Sequence, residues 1–311
     1  MGGGMSGEER VRNERLDERD QAAPSGEERV RHERLVERDQ TVPSGEERDQ
    51  EASSGVTGLD LTIVGCAGSY PSAESPASCY LLQAPYEGRT FNVVMDLGSG
   101  AFGALQRYVD PADVDAVVLS HLHADHCLDM CGYYVFRRYR PAGALPPIPV
   151  YGPSNTATHL ARAYDLDDPP GMSGQFDFDS WQDGQSVELG PFRFTSRRVA
   201  HPVEAYGLRV EHDGRAVVYS GDTGPSDALV DLARDADALL CEASFVESAD
   251  NPPGIHLTGA QAGDHARRAG VARLLLTHIP AWTDRSTVAA EAKDAFDGES
   301  DLVEAGERYH F

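Results

Sequence analysis

From Leu59 onward, short apolar runs alternate with breaks rich in glycine, serine and proline. The runs at 61–64, 79–82, 91–96, 114–120, 148–151, 192–195, 207–210, 216–219, 238–241 and 274–276 are rich in β-branched and apolar residues and too short for helices. They predict strands, several of them buried on both faces. Asp213-Gly214 lies between two of these runs and is a strong two-residue hairpin signal. Residues 258–269 predict a helix, with Thr258 as N-cap and Gly270 just past the end. Hairpins mixed with crossovers predict an α/β layered sandwich, not a doubly wound parallel sheet.

The first 55 residues have a different texture. Residues 6–24 are nearly repeated at 25–43, and a third copy starts at Ser44, a period of 19. Val11 and Leu16 in one copy, and Val30, Leu35 and Val36 in the next, are too few to bury a core. Glu–Arg pairs at helical spacing allow a transient helix that ends at Pro24 or Pro43. The expectation is a disordered tail over 1–57 and a folded body over 58–311. A docking or oligomerisation role, including a homodimer, is the functional alternative to a solvated extension.

Charge narrows the partners. The chain has 51 acidic and 27 basic residues, a net charge of −24. From residue 56 onward the acids number 36 and the bases 18. Such a surface suits a folded nucleic acid poorly, because phosphate contacts to Lys and Arg dominate that binding. Five cysteines with no regular framework argue against a disulfide-stapled secreted domain. Cys127 and Cys131 read as small buried thiols. No apolar stretch is long enough for a membrane span, and the N-terminus has no secretory apolar region, so a cytoplasmic location without membrane contact is expected.

The chemistry concentrates at 121–126, His-Leu-His-Ala-Asp-His. Three imidazoles and a carboxylate rarely crowd together for packing, since each would need its own partner if buried. A metal supplies that partner. The string follows the 114–120 run, at a strand end where α/β proteins usually build sites. On extended backbone His121 and His123 point the same way. Asp125 and His126 then turn toward a second position about 3.5–4 Å off, the spacing of a two-metal site. His201, Asp222 and His278 also sit just past predicted strands. His159 and His265 fall in helical stretches and His212 at a hairpin, where exposed polar positions are expected.

With those residues in place, the chain resembles the metallo-β-lactamase superfamily over roughly 58–311. His121-x-His123-x-Asp125-His126, then His201, Asp222 and His278, follow that superfamily's ligand motifs in order. The resemblance implies a four-layer αβ/βα sandwich and two divalent metal ions, zinc with manganese as the alternative. His121, His123 and His201 would hold one, Asp125, His126 and His278 the other, and Asp222 would bridge. Asp96 matches an early aspartate that braces the site. Gly65-Cys66-Ala67-Gly68-Ser69, Gly221-Asp222-Thr223, Cys241-Glu242-Ala243-Ser244 and His256-Leu257-Thr258 resemble the ribonuclease Z-like branch. That branch places a proton-donating histidine at the position of His256. The nearest resemblance is to actinobacterial cyclic-nucleotide phosphodiesterase-like members, through Ser75-Pro76-Ala77-Ser78 and His278-Ile279-Pro280-Ala281-Trp282-Thr283.

The resemblance implies a metal-dependent hydrolase. The expected reaction is cleavage of a small anionic substrate, a 3′,5′-cyclic nucleotide, by metal-activated water attacking phosphorus. Asp125 and His256 are the candidate catalytic residues. The transfer-RNA processing members insert a basic arm between the third histidine and the bridging aspartate. Here His201 and Asp222 are 21 residues apart, which leaves no room for one. RNA 3′-end processing and lactone, thioester or lactam hydrolysis are the alternatives within the fold. A metal-holding interaction protein that uses its repeat tail is the alternative from another class. Tyr133, Tyr134, Phe136 and Trp282 lie near the motifs and are candidates for stacking a nucleobase.

Overall fold

The computed structural model describes residues 56–311, so the repeat tail lies outside the described residues. Strands β1 (Asp60–Gly65), β2 (Cys79–Tyr86), β3 (Arg89–Met95), β4 (Ala116–Val118), β5 (Ile148–Gly152) and β6 (Phe176–Ser180) join β14 (Arg308–His310) in one sheet, in the order 14-1-2-3-4-5-6. The second sheet has the order 13-12-11-10-9-8-7. Its strands are β7 (Ser186–Leu189), β8 (Phe192–Arg198), β9 (Tyr206–His212), β10 (Arg215–Tyr219), β11 (Ala238–Glu242), β12 (Arg273–Thr277) and β13 (Glu299–Leu302).

The two-residue period of each strand explains the layering. Leu61, Ile63, Tyr80, Leu82, Val93 and Met95 from the first sheet meet Phe194, Leu208, Val210, Val217, Tyr219, Leu240 and Leu275 from the second. Their neighbours point outward. Val64, Cys79, Leu81, Val94 and Val117 pack under α1 (Ala101–Leu105), α2 (Ala124–Cys127), α3 (Met130–Arg138) and α4 (Thr156–Ala163). Val218, Leu239, Cys241, Leu274 and Leu276 pack under α5 (Asp227–Leu232), α6 (Gly259–Ala269) and α7 (Arg285–Ala295). Three apolar interfaces thus separate four layers, the expected αβ/βα sandwich. The parallel pairs β3–β4 and β10–β11–β12 send their carboxyl ends to the same rim of the sandwich as the site residues.

Local signals held where their chemistry was strong. Asp213 and Gly214 both take positive φ between β9 and β10. Thr258 caps α6 with a full capping box to Gln261, and Gly270 adopts φ 69° at its end. The run at 114–120 is strand only at Ala116–Val118; past it, the Ser120 amide donates to the Asp96 carboxylate at 2.7 Å in place of a strand partner. His265 is buried, contrary to expectation: it accepts from the Ser226 amide at 3.0 Å and donates to the Gln261 carbonyl at 2.7 Å. Tyr133 and Tyr134 are core residues and Phe136 packs beside them, so none of the three is free to stack a ligand. Trp282, by contrast, is 65 % exposed. Cys127 is buried and Cys131 half-buried, both as free thiols.

Candidate metal centre

Each candidate site residue sits where a strand gives out. Asp96 follows β3, the His121–His126 string follows β4, His201 follows β8, Asp222 follows β10, and His278 follows β12. Asp96 and His278 hold φ of 55° and 56°, a left-handed backbone that costs a non-glycine residue about 1–3 kcal/mol. The surrounding hydrogen bonds hold them there, and both side chains face the centre. Close packing tightens the string from behind: a Cβ on Gly98 would lie 1.9 Å from the Asp125 carbonyl oxygen.

The predicted ligands converge as two groups that share Asp222, and a third group of metal-competent side chains, Glu242, His256 and His278, adjoins the second. His121, His123, His201 and Asp222 form one; Asp125, His126, His278 and Asp222 form the other. In the first, His123 Nδ1 lies 3.0 Å from His121 Nε2 and 3.3 Å from His201 Nε2. Asp222 Oδ2 is 3.6 Å from His121 Nε2. In the second, His278 Nε2 is 3.1 Å from both His126 Nε2 and Asp125 Oδ2. Asp222 Oδ1 is 3.1 Å from His126 Nε2 and 3.4 Å from His278 Nε2. One carboxylate oxygen therefore faces each group. The second group is buried throughout, whereas His123 is exposed, so the centre opens to solvent on the His123 side.

The ring tautomers show what these groups suit. His126 Nδ1–H donates to Asp96 Oδ2 at 2.7 Å. Ser120 gives its hydroxyl proton to Asp96 and accepts from His121 Nδ1 at 3.1 Å. His201 Nδ1–H donates to the Ile255 carbonyl at 3.0 Å, and His278 Nδ1–H to Ser244 Oγ at 2.9 Å. The Nδ1 atoms of His121, His126, His201 and His278 are committed to these outer partners, which leaves their Nε2 atoms facing the centre as the nitrogens available to a cation. Asp222 Oδ1 is buried without a hydrogen-bond partner among the described residues. Ligand atoms 2.0–2.1 Å from a tetrahedral cation stand about 3.3 Å apart. The spacings of 3.0–3.6 Å match the edges of such a polyhedron. The donor set fits two divalent cations, held by nitrogen and oxygen with outer hydrogen bonds orienting each ring.

Electrostatics agree. Burial alone would raise the Asp125 carboxyl, but His278 and His126 hold it well below the usual carboxylate range. Burial would also strip His126 of its proton; Asp222 and Asp96 on either side hold its pKa well above normal. A cation bound here would take the place of that proton, which would couple metal binding to proton release.

Beside the two groups, His256 Nδ1 donates to Glu242 Oε1 at 2.9 Å and lies 3.9 Å from Asp222 Oδ2. Burial pulls its pKa down, but Glu242 outweighs this and pushes it up to about 9. Nδ1 is engaged by Glu242, which leaves Nε2 as the site of a transferable proton. Glu242 is fully buried and accepts also from the amides of Thr223 (2.8 Å), Leu257 (3.3 Å) and Ser244 (3.3 Å). Sequence reasoning assigned it no role. Its signal was an acid closing a buried apolar run at 238–242, the same pattern that marks Asp96. Tyr219, whose hydroxyl donates to Asp96 at 2.8 Å, was read only as strand.

A family model described as a beta-lactamase superfamily domain matches residues 91–279, which span the string, His201, Asp222 and His278. This chain is a member of the metallo-β-lactamase superfamily. An uncharacterised protein of Mycobacterium leprae is 49% identical over 260 residues, 82% of this chain and 89% of that one. The probable metallo-hydrolase YhfI of Bacillus subtilis is 30% identical over 253 residues, 80% of this chain and 98% of its own. The YhfI crystal structure, described as a metallo-beta-lactamase fold protein, superposes with TM-score 0.72 at 27% identity, covering 82% of this chain and all of that one. A ribonuclease Z of Mycolicibacterium gilvum is 32% identical over 251 residues, 71% of this chain and 84% of its own. This superfamily member therefore keeps the company of metal-dependent hydrolases, including ribonuclease Z-like ones. Among the described residues no helix is long and apolar enough to cross a membrane.

Proposed function

We propose that the chain is a dinuclear metal-dependent phosphodiesterase acting on small cyclic phosphodiesters of the 3′,5′-cyclic nucleotide type. Its ligands are His121, His123 and His201 on one side, Asp125, His126 and His278 on the other, with Asp222 between. The observation that carries the reading is His256, set on Glu242 next to the bridging carboxylate and outside both ligand groups. Two divalent cations held by these residues, zinc or manganese, would supply the Lewis acidity that makes hydroxide available near neutral pH and favours an anionic ester.

The chain's own residues supply the rest. Asp125, a carboxylate at the centre beside His278 Nε2, orients the attacking water. His256 hands its Nε2 proton to the departing alkoxide, and Glu242 holds the ring in place and favours its charged form. A leaving alkoxide needs such a donor far more than an acidic leaving group does, which favours a phosphodiester of an ordinary alcohol. Between His201 and Asp222 the chain is taken up by β9, a two-residue turn and β10, with no inserted arm. Together with the acidic body, this favours a small substrate over a folded RNA.

A panel of purified, metal-loaded protein against cyclic AMP, cyclic GMP, 2′,3′-cyclic nucleotides, a bis-arylphosphate and precursor transfer RNA tests the reading. The expected result is turnover of the 3′,5′-cyclic nucleotides above the transfer RNA. Cleavage of the transfer RNA alone would replace the proposal with RNA processing. The seven proposed ligands and His256 all lie between residues 121 and 278, so deleting residues 1–55 is expected to leave turnover within a few-fold. A large loss in the truncated, still-folded protein would give the repeats a part in the site or in assembly.

A further inference from the structure

Of the two tryptophans, Trp181 is 2 % exposed and donates its indole N–H to the Leu119 carbonyl at 3.0 Å. Trp282 has the opposite character: it is 65 % exposed, more than any other large apolar residue among those described. Its ring lies 5.2 Å, centroid to centroid, from that of Tyr70, which is itself 44 % exposed. Large aromatic surface left in water side by side forfeits the burial that usually stabilises such rings, and marks a surface that meets something.

Both rings are carried by loops that grip His278. Gly68, two residues before Tyr70, lies so close that a Cβ there would stand 2.3 Å from the His278 carbonyl oxygen. Ala67 bridges to Ile279. On the other side, the Thr283 amide closes a turn on the Pro280 carbonyl at 2.9 Å, which carries Trp282. The Thr283 hydroxyl donates to the Ser244 carbonyl at 3.1 Å, and Ser244 Oγ is the acceptor for His278 Nδ1. Three residues lie between His278 and Trp282, and the four steps of chain span at most about 14 Å. That is within the combined reach of an indole and a nucleotide anchored by its phosphate.

We propose that Tyr70 and Trp282 form a stacking platform for the heteroaromatic base of a nucleotide whose phosphate sits at the metal centre. The proposal rests on the phosphodiesterase reading for the phosphate and adds the base. Stacking needs no cationic side chain, which suits a body with twice as many acids as bases. It also tolerates any planar base, so purines of either kind are expected to bind alike.

The test uses the full, metal-loaded chain. Trp282 is the water-exposed fluorophore, so adenosine 5′-monophosphate is expected to quench its emission, and ribose 5-phosphate is not. By calorimetry the base is expected to raise affinity about tenfold or more, within the range for one stacked base. Trp282→Ala is expected to erase that advantage while keeping metal content, Trp282→Phe to restore most of it, and Tyr70→Ala to act in the same direction. In turnover, the penalty in kcat/KM for cyclic AMP is expected to exceed that for base-free methyl riboside 3′,5′-cyclic phosphate by about tenfold. Equal affinities of the two monophosphates for the wild-type protein would overturn the platform. So would equal penalties on base-bearing and base-free substrates. Quenching without any cyclic-phosphate turnover would overturn the phosphodiesterase reading and leave the platform standing; turnover without quenching or a Trp282 effect would do the reverse.

Discussion

Asp222→Ala is expected to abolish measurable metal bridging and to cut turnover by about 10³-fold or more. Each oxygen of this carboxylate faces one ligand group, at 3.6 Å from His121 Nε2 and 3.1 Å from His126 Nε2. Removing it would withdraw a ligand from each of the two cations these groups would hold, and it leaves His126 without one of the two acids that flank it. Lewis-acid stabilisation is worth several kcal/mol, and each 1.4 kcal/mol is tenfold in rate. Elemental analysis and steady-state kinetics on the same preparation check it. A variant that keeps both metals and about a tenth of its activity would show that Asp222 does not bridge.

His256→Ala is expected to separate chemistry from metal binding. The side chain lies outside the two groups that share Asp222, so fold and metal content should survive; loss of metal would instead make it a ligand together with Glu242 and His278. Turnover of a cyclic nucleotide should fall by on the order of 10²–10⁴, the usual contribution of a positioned acid. The loss should shrink for a substrate that releases nitrophenolate, which departs without a proton. His278→Ala, in contrast, should lose metal and fail on both substrates. Equal losses of His256→Ala on good and poor leaving groups would remove the donor role. Helix capping does not account for His256, because Thr258 already caps α6 through its own hydroxyl.

The fold was legible where strands are covered on both faces. β1, β3, β10, β11 and β12 are apolar runs because each is sandwiched between the central interface and a helical layer. The edge strands were not legible. Phe176–Ser180 reads Phe-Asp-Phe-Asp-Ser and Glu299–Leu302 reads Glu-Ser-Asp-Leu, because an edge lies half in water and needs little apolar character. Several helices escaped for another reason. α1, α2 and α5 have four to six residues, too few for a helical period to show.

The site was legible as residue types and order; its supporting shell was not. Crowded histidines and strand-end acids announce metal ligands, and the structure brings all seven together. Ser120, Tyr219, Ser244 and Glu242 act only through the side chains they touch across the chain, as when Tyr219 reaches Asp96 or Glu242 reaches His256. Nothing in their local sequence distinguishes a hydroxyl that sets a tautomer from one that packs. His265 shows the converse. Its helical setting suggested an exposed polar residue, yet it accepts the Ser226 amide at the start of α5 and is buried by that contact.

The central claim is that seven side chains form one bridged two-metal centre, and counting metal tests it most directly. Elemental analysis of the metal-replete wild-type chain is expected to give about two equivalents of divalent ion per protein molecule. About one equivalent, unaltered by Asp222→Ala, would contradict the account.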